Sequence, residues 1–136
     1  MSFTGTYIHT LDSKRRTTLP ARFRNLIMTK DIEPTIYLRP VPEDDVIIVY
    51  TSEVIDSFTQ GLDPMDSMDL SKMKVWRKQA RSIIAVKVSP QGRFVIPEQV
   101  SDLIDLPKGS LLFEGAFKVF TIKSISCMEN FQEVGE

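Results

Sequence analysis

An internal repeat constrains the fold of this chain more than any other feature of its sequence. Residues 9–27 and residues 86–104 match when Arg16 is placed on Arg93, an offset of 77 positions (93 − 16) that also places Pro20 on Pro97. Each copy predicts a strand, a polar turn, a second strand that begins at the arginine, and a short helix after the proline. Two copies of one such unit predict two halves that pack against each other as a pseudo-dimer.

The rest of the chain continues this pattern of short elements. Strands are expected at about 6–11, 16–19, 35–39, 46–50, 82–88, 93–96, 111–114 and 117–122, and helices at about 21–28, 52–58, 70–81, 97–104 and from Ser124. Short strands separated by Gly and Pro, with small helices between them, predict a β-rich α+β barrel with short capping helices. We divide the chain into a first half (1–60), an acidic linker with a basic helix (61–81) and a second half (82–136), the halves forming one compact unit.

Helix 70–81 is amphipathic in sequence. Leu70, Met73, Trp76 and Ala80 are expected to form a buried face, while lysines and arginines face the solvent. Asp69 precedes this helix and is expected to cap it.

Charge is unevenly distributed along the chain, although the net charge is only −1. Residues 1–30 carry a net +5, residues 31–70 a net −9, residues 71–100 a net +6 and residues 101–136 a net −3. Surface fields are screened within about 8–10 Å at physiological salt, so the local sign of charge decides which partner a surface attracts. Positive charge lies in or beside both repeat copies, and an anionic partner is therefore compatible with an acidic chain.

The single cysteine, Cys127, excludes an intrachain disulfide and favours a reducing, cytoplasmic location. Residues 1–11 lack the basic start and the apolar run of a signal peptide. The sequence contains no apolar stretch approaching the roughly 18–20 residues of a membrane span. We expect no membrane partner.

The most basic turn of the chain is Lys14-Arg15-Arg16. At the tip of a hairpin all three side chains can project outward, and guanidinium groups bind phosphate and guanine edges bidentately. A turn that only keeps the protein soluble is the alternative, but Arg22 and Arg24 follow on the adjacent helix. These residues are candidate DNA contacts.

Asp12 precedes Arg16 by four residues across the turn. Its carboxylate is expected to orient the Arg16 guanidinium, to cap the turn through backbone amides, or to do both. In the second copy, Arg93 is a candidate DNA contact or a structural residue, and Gly92 suits a left-handed turn position that Arg15 must fill in the first copy.

Catalytic and metal-binding patterns are absent from the sequence. It contains no nucleophile elbow, phosphate-binding loop, zinc motif or paired cysteines, and His9 is its only histidine. Asp63, Asp66 and Asp69 do not have the spacing of a calcium loop. We expect neither an enzyme nor a cofactor or metal.

Three segments resemble a known family. The run Phe3–Arg16 and the run Leu19–Arg24 (LPARFR) are similar to the opening of the MraZ family, and Gln91–Pro97 (QGRFVIP) is similar to its second half. The resemblance extends from about residue 3 to about residue 131. The family carries an Asp-x-x-x-Arg motif in each half; Asp12 and Arg16 match the first motif, whereas Ser89 replaces the aspartate of the second.

The resemblance implies a bacterial transcriptional regulator built from two fused swapped-hairpin, AbrB-like halves. It also implies a ring-like homo-oligomer that binds double-stranded DNA at promoter direct repeats upstream of the division and cell-wall gene cluster, in the cytoplasm and on the nucleoid. Family members often have glycine at the position of Arg15, so the first loop has an extra cation. Together with Ser89, this predicts that the first loop dominates DNA contact.

The sequence therefore predicts a sequence-specific DNA-binding regulator. Its candidate DNA contacts are Lys14, Arg15, Arg16, Arg22, Arg24 and Arg93, with Asp12 as the orienting residue. The alternatives are a weakly specific nucleoid-associated or antitoxin-type DNA binder, and a ring-forming protein scaffold. DNA binding should weaken steeply with salt, whereas an apolar protein interface should barely respond.

Overall fold

The computed structural model describes residues 2–28 and 33–125 of the chain, and within them it contains eight strands and four α-helices. The strands are β1 (Thr6–Leu11), β2 (Arg16–Thr18), β3 (Thr35–Val41), β4 (Val46–Thr51), β5 (Ile84–Lys87), β6 (Arg93–Val95), β7 (Gly109–Ala116) and β8 (Val119–Ser124). The helices are α1 (Ala21–Ile27), α2 (Ser52–Gln60), α3 (Leu70–Arg81) and α4 (Glu98–Ser101), with short 3-10 helices at Pro42–Asp44 and Pro64–Met68. The α+β, β-rich class predicted from the sequence is confirmed.

The strands form an open antiparallel sheet rather than a barrel. Of the described strands, six follow the order β1-β7-β8-β4-β3-β5, and β2 pairs with β6 in a separate two-stranded ribbon. The expected closed barrel is wrong because β1 and β5 each pair with one neighbour and lie at opposite ends of the sheet. After each polar turn the chain leaves the six-stranded sheet and enters the ribbon. Strands β2 and β6 therefore pair with each other and do not join the two edges of the sheet.

The strand order carries the symmetry of the repeat. Exchanging β1–β4 with β5–β8 gives the same six-strand order read in the opposite direction, and it returns the β2–β6 ribbon to itself. The repeat copies are therefore interleaved, since β1 pairs with β7, β3 pairs with β5 and β2 pairs with β6.

One hydrophobic core joins the sheet to the ribbon and the short helices. Side chains from the central strands pack against Phe23 of α1, Phe94 of β6 and Val100 of α4. Phe23 is fully buried, and its ring centroid lies 5.2 Å from Phe3 and 4.8 Å from Phe120. The core holds both α1 and the ribbon in place. The loops that directly precede β2 and β6 are therefore attached to closely packed, rigid elements.

Helices α2 and α3 contribute no fully buried side chain. Asp69 caps α3 as expected, its Oδ1 accepting from the backbone N–H groups of Ser71 (2.9 Å) and Lys72 (3.3 Å). The expected buried face of α3 is wrong: Leu70 is 77% exposed, and Met73 and Trp76 are only half-buried. The reason is that α3 packs on the short 3-10 helix Pro64–Met68 rather than over the sheet.

Helix α4 of the second copy is shorter than expected, ending at Ser101 rather than at Ile104. The predicted last helix from Ser124 lies almost entirely outside the described residues, as does Cys127. No helix in the described part of the chain is long and apolar enough to cross a membrane.

Candidate nucleic-acid interface

The first loop, Asp12–Arg15, is a tight turn between β1 and β2. The backbone N–H of Arg15 donates to the Asp12 carbonyl, and that of Asp12 donates to the Arg16 carbonyl, both at 3.0 Å. Arg15 has a φ of 66°, in the left-handed region that favours glycine. A residue with a side chain costs roughly 1–2 kcal/mol in that region, so other contacts must offset the cost.

The Asp12 carboxylate holds both the loop backbone and Arg16. Its Oδ1 accepts from the backbone N–H groups of Lys14 (2.9 Å) and Arg16 (2.8 Å), while its Oδ2 accepts from the Arg16 side-chain Nε (2.8 Å). Both roles considered for Asp12 are thus present in the geometry. Among the described residues only the Nε of Arg16 is used in this way, which leaves the two terminal nitrogens of its guanidinium to a ligand; the side chain is 56% exposed.

These hydrogen bonds favour the ionised carboxylate. The backbone N–H of Arg16 contributes most to lowering the pKa of Asp12 below its ordinary value of 3.8, and the Arg16 side chain and the Lys14 backbone act in the same direction. Asp12 is therefore charged at neutral pH, and its charge fixes the orientation of a cation that faces the solvent.

The three cations of the first loop do not share one orientation. Lys14 and Arg16 are exposed, as expected. The expectation that Arg15 also projects outward is wrong, because it is half-buried and donates to the Ser101 side chain and to the Leu106 carbonyl. Sequence reasoning missed this because Ser101 and Leu106 lie 86 and 91 residues further along the chain.

The arginines of α1 also differ from each other. Arg22 is exposed on the helix surface. Arg24 lies over the second loop, where its Nη1 donates to the Gln91 carbonyl at 3.3 Å. Arg24 is thus partly occupied by a structural contact, whereas Arg22 faces the solvent.

The second loop, Ser89–Gly92, repeats the backbone of the first. The N–H of Gly92 donates to the Ser89 carbonyl (2.8 Å), and that of Ser89 donates to the Arg93 carbonyl (2.9 Å). The Ser89 hydroxyl accepts from the Arg93 backbone at 3.1 Å but does not reach the Arg93 side chain. Among the described residues, Arg93 has no ion-pair partner and its side chain is exposed.

The ribbon brings the two loops onto one surface. In the β2–β6 register, Arg16 lies opposite Val95 and Arg93 lies opposite Thr18, while Thr17 pairs with Phe94. Thr17 and Phe94 point into the protein, so Arg16 and Arg93 share the outer face as diagonal neighbours. Diagonal pairs of this kind have Cα atoms about 7–8 Å apart. We call this outer face, with the two loops at its opposite ends, the ribbon surface. Only the 77-residue offset between the repeat copies hinted that both loops flank one ribbon.

Other basic and polar groups lie elsewhere. Helix α3 exposes its lysines and arginines, and Lys72 forms an ion pair with Asp66 at 3.0 Å. A groove of about 520 Å³ lies between α2, α3 and the β3–β4 hairpin, lined by Phe58, Ile83 and Tyr50 among others. Among the described residues that line it there is no histidine or cysteine.

The described residues offer no catalytic centre. His9 packs on Phe113 with ring centroids 5.6 Å apart, and burial lowers the pKa of His9 below its ordinary value of 6.5. In the described ranges no group of three His, Cys, Asp or Glu side chains is placed to hold a metal ion. The ribbon surface is consequently the best candidate for a functional site.

Comparison with known proteins gives several relatives with one name. The chain is similar to the transcriptional regulator MraZ of Finegoldia magna (27% identity over 114 residues, 78% of this chain and 70% of the relative). It is also similar to those of Mesoplasma florum (27% over 108 residues; 79% and 70%) and Leuconostoc citreum (27% over 149 positions; 98% and 94%). No family model matches the chain. The relatives confirm the family resemblance read from the sequence.

Proposed function

The chain resembles the MraZ transcriptional regulators over most of its length, and on this premise we propose that it is a sequence-specific DNA-binding regulator of bacterial transcription. The observation that carries the proposal is Arg16, an exposed guanidinium fixed by Asp12 on the ribbon surface. The relatives' name describes regulation of transcription, a non-enzymatic role, in agreement with the expectation that the chain is not an enzyme.

The chemistry of the ribbon surface suits duplex DNA. The major groove is about 12 Å wide and admits a two-stranded β-ribbon, and a guanidinium reads the O6 and N7 acceptors of guanine bidentately. Arg16 offers both terminal nitrogens for such a contact, and Lys14 beside it supplies an exposed charge for phosphate. We assign these two residues to the main base and phosphate contacts.

The other predicted contacts receive smaller roles. Arg22 and Arg93 are exposed and suit phosphate, while Arg24 contacts DNA only with the part of its guanidinium that Gln91 leaves available. Arg15 was a predicted contact as well, but its side chain already donates to two groups of the second half of the chain. The first loop therefore presents two cations to DNA rather than three.

The fold supports a fused pseudo-dimer. The reversible strand order and the matched loop hydrogen bonds favour two swapped-hairpin, AbrB-like halves, with division at 1–60, 61–81 and 82–136. On this proposal, β2 and β6 are equivalent elements that place two related loops on one DNA-binding surface.

Exposed apolar side chains support self-association into a ring. Met65, Met68 and Leu70 are 71%, 80% and 77% exposed, and Phe58 and Val75 are each more than half exposed. Large exposed apolar patches mark interaction sites, and on this proposal these side chains form one. Head-to-tail contacts between copies close into a ring when the rotation allows, and several linked DNA-binding surfaces raise avidity by about 10²–10⁴.

The resemblance also suggests the target and the location. We propose that the ring binds promoter direct repeats upstream of the division and cell-wall gene cluster, on the nucleoid in the cytoplasm. Repeats spaced to match the subunits would let several ribbon surfaces bind at once, which is how short loops reach useful affinity.

A titration tests the proposed function. The protein is titrated against duplex DNA that carries short direct repeats from its own upstream region and against a scrambled duplex, each at two salt concentrations. Tight, repeat-dependent binding that weakens with salt is expected. Equal binding to both duplexes would instead indicate a nucleoid-associated or antitoxin-type binder. An intact oligomer that binds neither duplex would contradict DNA binding and favour a protein scaffold.

A further inference from the structure

The same contact occurs twice in this protein with its large and small residues exchanged. The 77-residue offset places Arg15 on Gly92 and Arg24 on Ser101. Arg15 of the first loop reaches Ser101 at the end of α4, and Arg24 of α1 reaches over Gly92 of the second loop. Each loop thus meets the helix of the other copy through one arginine, but the arginine comes from the loop in one case and from the helix in the other.

At the first contact the loop supplies the long side chain. The Arg15 guanidinium donates from Nη1 to the Leu106 carbonyl and from Nη2 to the Ser101 hydroxyl, while its buried Nε has no hydrogen-bond partner among the described residues. The Arg15 carbonyl also accepts from the backbone N–H of Ile96 at 2.8 Å. These contacts offset the left-handed backbone that a glycine would adopt without strain.

At the second contact the helix supplies the long side chain. Gly92 has a φ of 82°, and a Cβ added there would lie 2.7 Å from the Arg24 Cδ. The aliphatic part of Arg24 therefore occupies the space above Gly92, and its Nη1 donates to the adjacent Gln91 carbonyl. The Gly92 carbonyl accepts from the N–H of Leu19 at 2.8 Å, as the Arg15 carbonyl does from Ile96.

We propose that Arg15 is a positioning residue that holds the first loop against α4, and that Arg15–Ser101 and Gly92–Arg24 are two interchangeable forms of one contact. Arg15 acts on DNA through its neighbours: it fixes the turn from which Lys14 and Arg16 project, and it does not touch phosphate. The DNA part of this inference rests on the proposed function. The pairing of position 15 with position 101 does not, because it is a property of the folded chain.

The test transfers the second arrangement into the first contact. The full chain is compared with Arg15→Gly, Ser101→Arg and the double variant Arg15→Gly/Ser101→Arg, by thermal unfolding and by titration against the repeat duplex over a range of salt. Arg15→Gly is expected to weaken DNA binding roughly 3- to 10-fold, the effect of one to two lost hydrogen bonds. The slope of log K against log salt should stay unchanged, because no phosphate contact is lost. The double variant should recover most of the affinity.

Two further variants give the matched control at the second contact. Gly92→Arg should lower the melting temperature because its side chain meets Arg24, and Gly92→Arg/Arg24→Ser should restore much of the loss by recreating the first arrangement. If a Gly92 variant does not fold, the variants at positions 15 and 101 still decide the matter.

Three results would overturn the inference. One is a salt slope that falls by about 0.9 in Arg15→Gly, the signature of a lost phosphate contact. Another is an affinity loss that Ser101→Arg does not rescue, and the third is additivity of the two substitutions in thermal unfolding. If the wild-type protein binds no DNA, the proposed function fails, whereas non-additive unfolding would still establish the 15–101 contact.

Discussion

The two loops of the ribbon surface share a backbone but not an electrostatic design. Both close with the same pair of backbone hydrogen bonds, and both place a left-handed residue just before the strand. In the first loop a carboxylate holds the arginine side chain, while in the second a serine hydroxyl holds only the arginine backbone. The repeat thus preserves the conformation of the loop, while each copy carries different chemistry.

The difference has an energetic consequence for binding. A charge-assisted hydrogen bond is stronger than a neutral one and orders the side chain before a ligand arrives. Binding then costs less side-chain entropy, of the order of 0.5–1.5 kcal/mol per ordered side chain. The Arg16 side chain is ordered before DNA binds, because Asp12 holds it, whereas the Arg93 side chain is not held in this way. The first loop is therefore expected to supply most of the sequence-specific affinity.

Removing the Arg16 side chain should have the largest effect on DNA affinity. Arg16→Ala is expected to lower affinity for the repeat duplex about tenfold or more, since a bidentate base contact contributes roughly 1–3 kcal/mol. The measurement is a fluorescence anisotropy titration with wild-type protein alongside. Retained affinity in Arg16→Ala would show that the first loop does not make the sequence-specific base contacts. Lys14→Ala is the comparison variant and should weaken binding to the repeat and scrambled duplexes equally.

Exchanging the residues that distinguish the loops should have the next largest effect. Asp12→Ser gives the first loop the hydroxyl that the second loop has at this position. We expect the ratio of the affinity for the repeat duplex to the affinity for the scrambled duplex to fall roughly 3- to 10-fold, because the charged hydrogen bonds to Arg16 are lost. The reciprocal variant, Ser89→Asp, is the matched control and should leave that ratio unchanged or raise it. A ratio that Asp12→Ser leaves intact would argue against orientation by Asp12.

Removing the second arginine should matter less. Arg93→Ala is expected to weaken both duplexes by about threefold and to reduce the salt slope by about 0.9, as for one phosphate contact. The same titrations measure this. A loss of affinity equal to that of Arg16→Ala, or a loss confined to the repeat duplex, would show that both loops make sequence-specific contacts.

The smallest effect concerns pH. Because the folded pKa of Asp12 lies below its ordinary value of 3.8, its contribution to loop order is complete above that value and is lost as pH falls through the folded pKa. We therefore expect the Asp12–Arg16 contact to persist unchanged from pH 7.5 to pH 5. Carbon-13 NMR titration of the Asp12 carboxyl measures its pKa directly. In Arg16→Ala the pKa should rise yet stay below 3.8, because the backbone N–H of residue 16 still donates to it.

Part of this arrangement could be predicted from sequence because its causes are local. The alternation of β1, with Tyr7, His9 and Leu11 turned inward and Ile8 outward, follows from strand geometry. The cap at Asp69 and the nearness of Asp12 to Arg16 follow from spacing within a few residues. Local hydrogen bonds need no knowledge of the fold.

The remaining features depend on how the elements pack in three dimensions. Arg15 turns inward because Ser101 and Leu106 lie beside it, and neither lies in its own repeat copy. The sheet stays open because β2 pairs with β6, a choice that periodicity does not specify. The amphipathic pattern of α3 predicted a buried face, yet no residue of α3 is fully buried, because the helix does not pack on the hydrophobic core. Tertiary packing, which local patterns do not specify, decided each of these outcomes.

The most direct test of the account compares Arg16→Ala with Arg93→Ala in parallel titrations against repeat and scrambled duplexes at several salt concentrations. We predict that Arg16→Ala removes most of the preference for the repeat duplex, whereas Arg93→Ala lowers both affinities slightly and keeps the preference. Equal effects of the two variants on the preference, or no effect of Arg16→Ala, would contradict the claim that the loop held by Asp12 is the reader.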